Sequence, residues 1–228
     1  MSQNKPLYMI LAVAAIAIIG FLFVSQQDKG PAGQKDVKLG IVFGFTGPIE
    51  SLTPPMAEAA ELAMSEVTES GAFLGGTAVT SVRADSTCVD NAAATAAVER
   101  LITSDGISAI VGADCSGVTI ATLQNVAMPK GVLMISPSAT SPALSTMEDN
   151  GLFYRTAPSD AREGQVVAEM LMEKVYKSVA LTYTNNDHGK GLADAIQSNY
   201  EANCGSITIV TSLEHGKGED SAVNGAIA

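Results

Sequence analysis

Residues 107–142 read ISAIVGADCSGVTIATLQNVAMPKGVLMISPSATSP. Two apolar runs, ISAIVG (107–112) and GVLMIS (131–136), are too short for helices and are bounded by turn residues, so each predicts a buried strand. Between them Ser116 opens a stretch of helical character that runs to about Ala127. Strand, helix and strand within about 30 residues make a βαβ unit, whose two strands lie parallel in one sheet.

The same rhythm extends in both directions. VKLGIVF (37–43) is expected as a strand and MAEAAELAMSEV (56–67) as a helix, with Pro54 and Pro55 before it and Gly71 beyond it. TAVTSVRA (77–84) follows as a strand, then a helix capped by Asp90 that runs to about Ser104. The expected fold class is α/β, a doubly wound parallel sheet with helices on both faces. Around Pro142–Asp149 the pattern lapses, and LFYRTA (152–157) reads as a short extended crossing into a second series. That series is a helix from Ser159 to about Tyr176, strand SVALTYT (178–184), a helix from about Gly189 to Asn203, and strand SITIVTSL (206–213). Asp220 is placed to cap one helix more. Two strands are too few for a stable parallel sheet, so the sequence reads as C-terminally incomplete.

Composition narrows the function classes. With 16% charged and 46% hydrophobic residues, a disordered tail protein is excluded. Beyond residue 27 there are 12 basic and 24 acidic side chains and no basic stripe, so no nucleic-acid partner is expected. Leu7–Val24 is 18 residues without a charge, about 27 Å as a helix, which is enough to cross a bilayer. Lys5 on its short side puts the N-terminus in the cytoplasm and the bulk of the chain outside. Residues 1–27 are therefore expected as a transmembrane anchor or signal segment. The balance tips toward an anchor, because Phe23-Val24-Ser25 lacks a small-x-small cleavage pattern. The polar stretch 28–36 reads as a linker. Export permits oxidation, and Cys88 and Cys115 each follow a predicted strand on the same expected edge of one sheet. A bridge between them closes about 28 residues and stabilises by about 3–4 kcal/mol in the chain-entropy model. Cys204 is expected as a small buried hydrophobe. The cysteine spacings match no zinc pattern and the histidines are only His188 and His215, so neither a metal nor a cofactor is expected.

Ligands of open parallel sheets bind outside the carboxyl ends of the strands. The loops there are Gly44-Phe45-Thr46-Gly47-Pro48, Asp114-Cys115-Ser116-Gly117 and Pro137-Ser138-Ala139-Thr140-Ser141-Pro142. They are rich in hydroxyls and glycines and carry one charge, Asp114, so an anionic group would be held by neutral donors. The plainer alternative is that Ser116 caps its helix and that the residues near Thr140 only shape a turn. Enzyme signatures fail: there is no G-x-S-x-G elbow, no G-x-G-x-x-G after the first strand, and Gly189-Lys190-Gly191 lacks the rest of a phosphate loop. Asp187 and His188 as an acid-base pair is weaker than reading them as a loop rim. An enzyme is not expected.

Several of these segments together resemble the type I periplasmic binding proteins, in the leucine/isoleucine/valine-binding branch that serves ABC importers. The resemblance covers residues 37 to about 228. It rests on Thr46-Gly47-Pro48, Ile110-Val111-Gly112, Ile135-Ser136-Pro137 with Ala139-Thr140 and Pro142, Arg155-Thr156 with Asp160 and Gly164, and His188-Gly189-Lys190-Gly191-Leu192-Ala193. It implies a bilobed fold, with lobe 1 at 37–155 mostly present and a partial lobe 2 at 156–228, hinged near 155–158. The family's lobe 1 disulfide falls on Cys88 and Cys115.

By position, the resemblance implies that Ser116 holds the α-carboxylate of an amino acid through its hydroxyl and N–H. Ala139 offers its carbonyl to the ammonium, and Thr140 serves both groups. Ser138 matches more loosely, since the family often has Gly there. Leu52 stands where the family commonly has an aromatic over the ligand, and His188 where a Tyr often opens the second-lobe loop. The acid that neutralises the ammonium in relatives falls beyond Ala228. The expected function is a solute-binding protein, periplasmic or on the outer face of the membrane, that carries a branched-chain or similar amino acid to an ABC permease. Alternatives on the same scaffold are a membrane-anchored sensing module and a binder of amides or urea.

Overall fold

The computed structural model describes residues 36–176, 178–204 and 208–215. The apolar segment within 1–27, most of the linker and Asp220 lie outside the described residues, as does the Cys204 side chain. Among the described residues no helix is long and apolar enough to cross a membrane.

Five parallel strands form the main sheet in the order β2-β1-β3-β4-β5: β1 Val37–Phe43, β2 Val79–Asp85, β3 Ala109–Gly112, β4 Leu133–Ser136 and β5 Phe153–Arg155. The expected βαβ unit is present, with β3 paired parallel to β4 through Ala109↔Leu133, Ile110↔Met134 and Val111↔Ile135. Helix α1 (Thr53–Ser70) lies on one face, where Ala57 and Met64 pack with Ile41 and Phe43. Helices α2 (Asn91–Arg100) and α3 (Ser116–Thr122) cover the other. There Val42, Ile110 and Met134 from the strands pack with Ala94, Val98, Val118 and Leu123.

The α1 face is covered unevenly. Ile41, Val111, Ile135 and Tyr154 are register partners and share that face. Exposure climbs along the row, from 0% at Ile41 to 36% at Ile135 and 54% at Tyr154. Alpha-helical cover is therefore concentrated over β1 and thins out toward β5.

The second unit pairs β6 (Ser178–Thr184) in parallel with β7 (Thr208–His215), against α4 (Asp160–Glu173) and α5 (Asp187–Cys204). The two helices pack closely because Gly164 has no side chain: a Cβ there would stand 2.6 Å from the Ala195 Cβ and 2.7 Å from its carbonyl carbon. Tyr200 is fully buried and its hydroxyl donates to the Tyr176 carbonyl at 3.2 Å.

Several boundaries differ from the sequence reading. Pro54 and Pro55 lie within the first turn of α1, where the missing N–H has no helical partner to lose and the fixed φ suits the helix. Asp90 does cap α2, accepting from the N–H groups of Ala92 and Ala93. The segment at 152–157 is more than a crossing, since β5 is the fifth strand of the main sheet and pairs with β4. Helix α5 begins at Asp187, two residues before the expected start.

Candidate functional site

The loops at the carboxyl ends of β1, β2 and β3 are pinned by two aspartates. Asp114 is only 3% exposed; it accepts the Gly44 N–H at 2.7 Å and the Cys115 N–H at 2.9 Å on its two oxygens, and the Ser86 hydroxyl at 3.1 Å. The one charge the sequence puts in these loops is thus spent on the scaffold. Asp85 accepts from the hydroxyl and N–H of Thr46 and from the Thr87 N–H. Burial works to raise its carboxyl, and the hydrogen bonds from Thr46, Thr87 and Phe45 outweigh it, so the group titrates below the ordinary aspartate range. Gly47 has a positive φ of 94°, and a Cβ there would stand 2.5 Å from the Thr87 carbonyl oxygen. Cys88 and Cys115 are joined as a disulfide with Cα atoms 5.3 Å apart, tying the second loop to the third.

Ser116 does not cap its helix. Cys115 occupies the cap position of α3, and the Ser116 hydroxyl turns to the neighbouring loop, where it accepts the N–H groups of Thr140 at 3.2 Å and Ser141 at 3.1 Å. A hydroxyl has one proton and two lone pairs. With both lone pairs taken and the residue 4% exposed, the Ser116 hydroxyl has only a proton left to offer.

The loop after β4 is held from beneath by Ser136, which is fully buried, donates to the Ala113 carbonyl and accepts the Ala139 N–H at 2.9 Å. Ser138 donates its hydroxyl to the Asp114 carbonyl at 2.9 Å. The Ala139 carbonyl accepts from Arg155 Nη1 at 3.2 Å, and the same nitrogen reaches the Ser141 carbonyl at 2.9 Å. Arg155 Nη2 donates to the Ser145 hydroxyl, so the guanidinium braces the whole turn. Burial lowers the guanidinium from its usual value and the Asp160 charge opposes this. Leu52 sits at the N-terminus of α1, 60% exposed.

His188, the second residue of α5, meets this loop from the second unit. Its Nδ1 is 3.0 Å from Thr140 Oγ1 and 2.8 Å from Asp160 Oδ2. The carboxylate facing His188 is Asp160 rather than its neighbour Asp187, which lies instead against Gly117, where a Cβ would be 2.7 Å from Asp187 Oδ2. Asp160, 2% exposed, also donates its backbone N–H to the Thr140 carbonyl at 2.9 Å. Carboxylate, imidazole and hydroxyl are the groups of a nucleophilic triad, but the triad needs the two oxygens on opposite ring nitrogens. Here both oxygens share Nδ1, so no base is available to the Thr140 hydroxyl. A cleft of about 360 Å³ adjoins the site, between Ser141–Ala143 and the α5 residues Asp187, Lys190 and Gly191.

The structure therefore gathers Ser116, Ser138, Ala139, Thr140 and His188 around one loop. Sequence reasoning missed Asp160, Arg155 and Ser136 as organisers of it. All three stand in motifs that carry the family resemblance, but their own residue types and spacing assign them no role, because the groups they bond are brought near only by the fold.

Residues 55–226 match the family described as the receptor family ligand binding region. The chain belongs to that family. It is 31% identical to the Leu/Ile/Val-binding protein of Citrobacter freundii over 72% of this chain and 44% of that one. To the leucine-specific-binding protein of Salmonella typhimurium it is 30% identical, over 93% of this chain and 55% of the relative. Among solved structures it is similar to the branched-chain amino acid transporter substrate binding protein LivJ from Streptococcus pneumoniae in complex with isoleucine. The TM-score there is 0.68, with 28% identity, over 81% of this chain and 51% of that one. The chain thus spans about half the length of these relatives, and its parallel-sheet α/β architecture is that of the type I periplasmic binding proteins. The relatives are solute-binding proteins, not enzymes.

Proposed function

We propose that this chain supplies the head-group-gripping unit of a solute-binding protein that captures a branched-chain or similar amino acid for an ABC permease. The observation that carries the reading is the Ser116 hydroxyl, which has both lone pairs filled and one proton to give. Such a group selects an anion over a cation, and beside it the Ala139 carbonyl, with two lone pairs of which Arg155 uses one, can take an ammonium proton. Uncharged donors on loops pinned by the buried Asp114 and the half-buried Asp85 hold a carboxylate without transforming it.

On this reading the first unit, 37–155, is one lobe and 156–228 begins the other. The ligand bridges them and favours a closed form by its differential affinity for the two arrangements. The 155–158 segment runs from the last residue of β5 toward α4 and serves as the hinge. Residues 1–27 export the chain and hold or deliver it outside the cytoplasmic membrane. The test is a thermal-shift screen of the standard amino acids against the full-length protein. At 100 times Kd a ligand adds about 2.7 kcal/mol, which raises the midpoint by a few degrees, roughly 3–5 °C, in a protein of the relatives' length. Shifts of that size with leucine, isoleucine or valine are expected; a screen in which no amino acid moves the midpoint ends this reading.

A further inference from the structure

We infer that Asp160 and His188 act as a positioning pair that fixes the proton of the Thr140 hydroxyl, making Thr140 a hydrogen-bond donor to the ligand's carboxylate. The inference rests on the amino-acid reading above and adds a device to it.

The argument starts at Nδ1 of His188, which faces a carboxylate oxygen at 2.8 Å and a hydroxyl oxygen at 3.0 Å. A bare ring nitrogen 2.8 Å from a carboxylate oxygen would set two lone pairs against each other. Nδ1 therefore carries a proton, in the neutral and in the cationic ring alike. That proton is shared between Asp160 Oδ2 and Thr140 Oγ1, so Thr140 accepts from the ring and cannot donate to it. The remaining groups of Thr140 are also committed, its N–H to Ser116 Oγ at 3.2 Å and its carbonyl to the Asp160 N–H at 2.9 Å. The hydroxyl proton is the one donor Thr140 has left, and the imidazole turns it away from itself. Ser116, whose hydroxyl likewise only donates, stands at the start of α3 with its Oγ 3.2 Å from the Thr140 nitrogen, so the pair presents two aimed protons to one anion. Asp160 suits this task because it is 2% exposed, and a buried carboxylate holds its acceptor role against competition from water.

The test is calorimetric titration of the full-length protein with L-isoleucine, comparing wild type with His188→Leu, Asp160→Asn, His188→Asn and Thr140→Val, the His188 variants also in the Thr140→Val background. His188→Leu and Asp160→Asn should each weaken isoleucine about five- to tenfold, the worth of one lost directed hydrogen bond. In the Thr140→Val background His188→Leu should cost little more, because the hydroxyl it positions is gone. His188→Asn, whose amide N–H stands near the place of Nδ1, should recover most of the loss. Equal losses with and without the Thr140 hydroxyl, no loss at His188→Leu, or an Asn variant as weak as the Leu variant would overturn the pairing while leaving amino-acid binding intact. A wild-type protein that binds neither isoleucine nor any other amino acid removes the reading beneath it, and the inference with it.

Discussion

Ser116, at the residue scale, accepts two backbone N–H groups from inside the fold, so Ser116→Ala should cost stability as well as ligand. Leaving the Thr140 and Ser141 N–H groups without their acceptor costs about 1–3 kcal/mol, read by urea unfolding of the ligand-free protein. An unchanged midpoint would show that the two N–H groups find other partners. Asp85 makes a second prediction through pH. Its carboxyl lies lower in the folded protein than in the unfolded chain, so its contribution is complete above about pH 4 and is lost as pH falls through the folded value. Asp85→Asn should therefore flatten part of the fall in stability on the acid side of pH 4 and lower stability at pH 7. Curves that stay parallel for variant and wild type would count against the bonds to Thr46 and Thr87. At this scale the sequence revealed where the hydroxyls stand, since position relative to a strand end is a local property. It did not reveal what they bond, because Ser116 and Thr140 are 24 residues apart and meet only through the packing of two loops.

At the element scale, the long strands and helices were readable because their apolar period repeats, as in β1 with its buried run and α1 with its prolines at the start. Strand β5 escaped as a sheet member because three residues, Phe153, Tyr154 and Arg155, carry too little period to distinguish a paired strand from an extended linker. The contact of α4 with α5 gives a prediction of its own. Gly164→Ala places a Cβ 2.6 Å from the Ala195 Cβ and 2.7 Å from Ala195 backbone, so the helices must separate and about 1–3 kcal/mol is lost. Since Asp160 and His188 sit at the N-terminal turns of these helices, the same substitution should also weaken isoleucine. A Gly164→Ala variant as stable as wild type would contradict the close approach.

At the scale of the whole molecule, the main sheet buries Ile41 completely and leaves Tyr154 half in the open along one register row. This gradient is a property of how helices are distributed over the sheet, which local periodicity does not encode. The disulfide is the exception among long-range features, because two cysteines that each follow a strand end are marked by topology alone. Thiol titration of the oxidised, unfolded protein should find one free cysteine of the three. Finding three would remove the bond between the second and third loops, and with it the argument that the chain matures in an oxidising compartment.

The central claim is that Ser116 and Thr140 grip an amino acid by neutral donors and release it unaltered. The most direct measurement titrates L-isoleucine calorimetrically into full-length wild type and into the Ser116→Ala, Thr140→Val double variant, with recovery of the ligand afterwards. The account predicts one saturable site in wild type, isoleucine recovered unchanged, and binding at least tenfold weaker in the double variant. Equal affinities in the two proteins, or a chemically altered ligand, would contradict it.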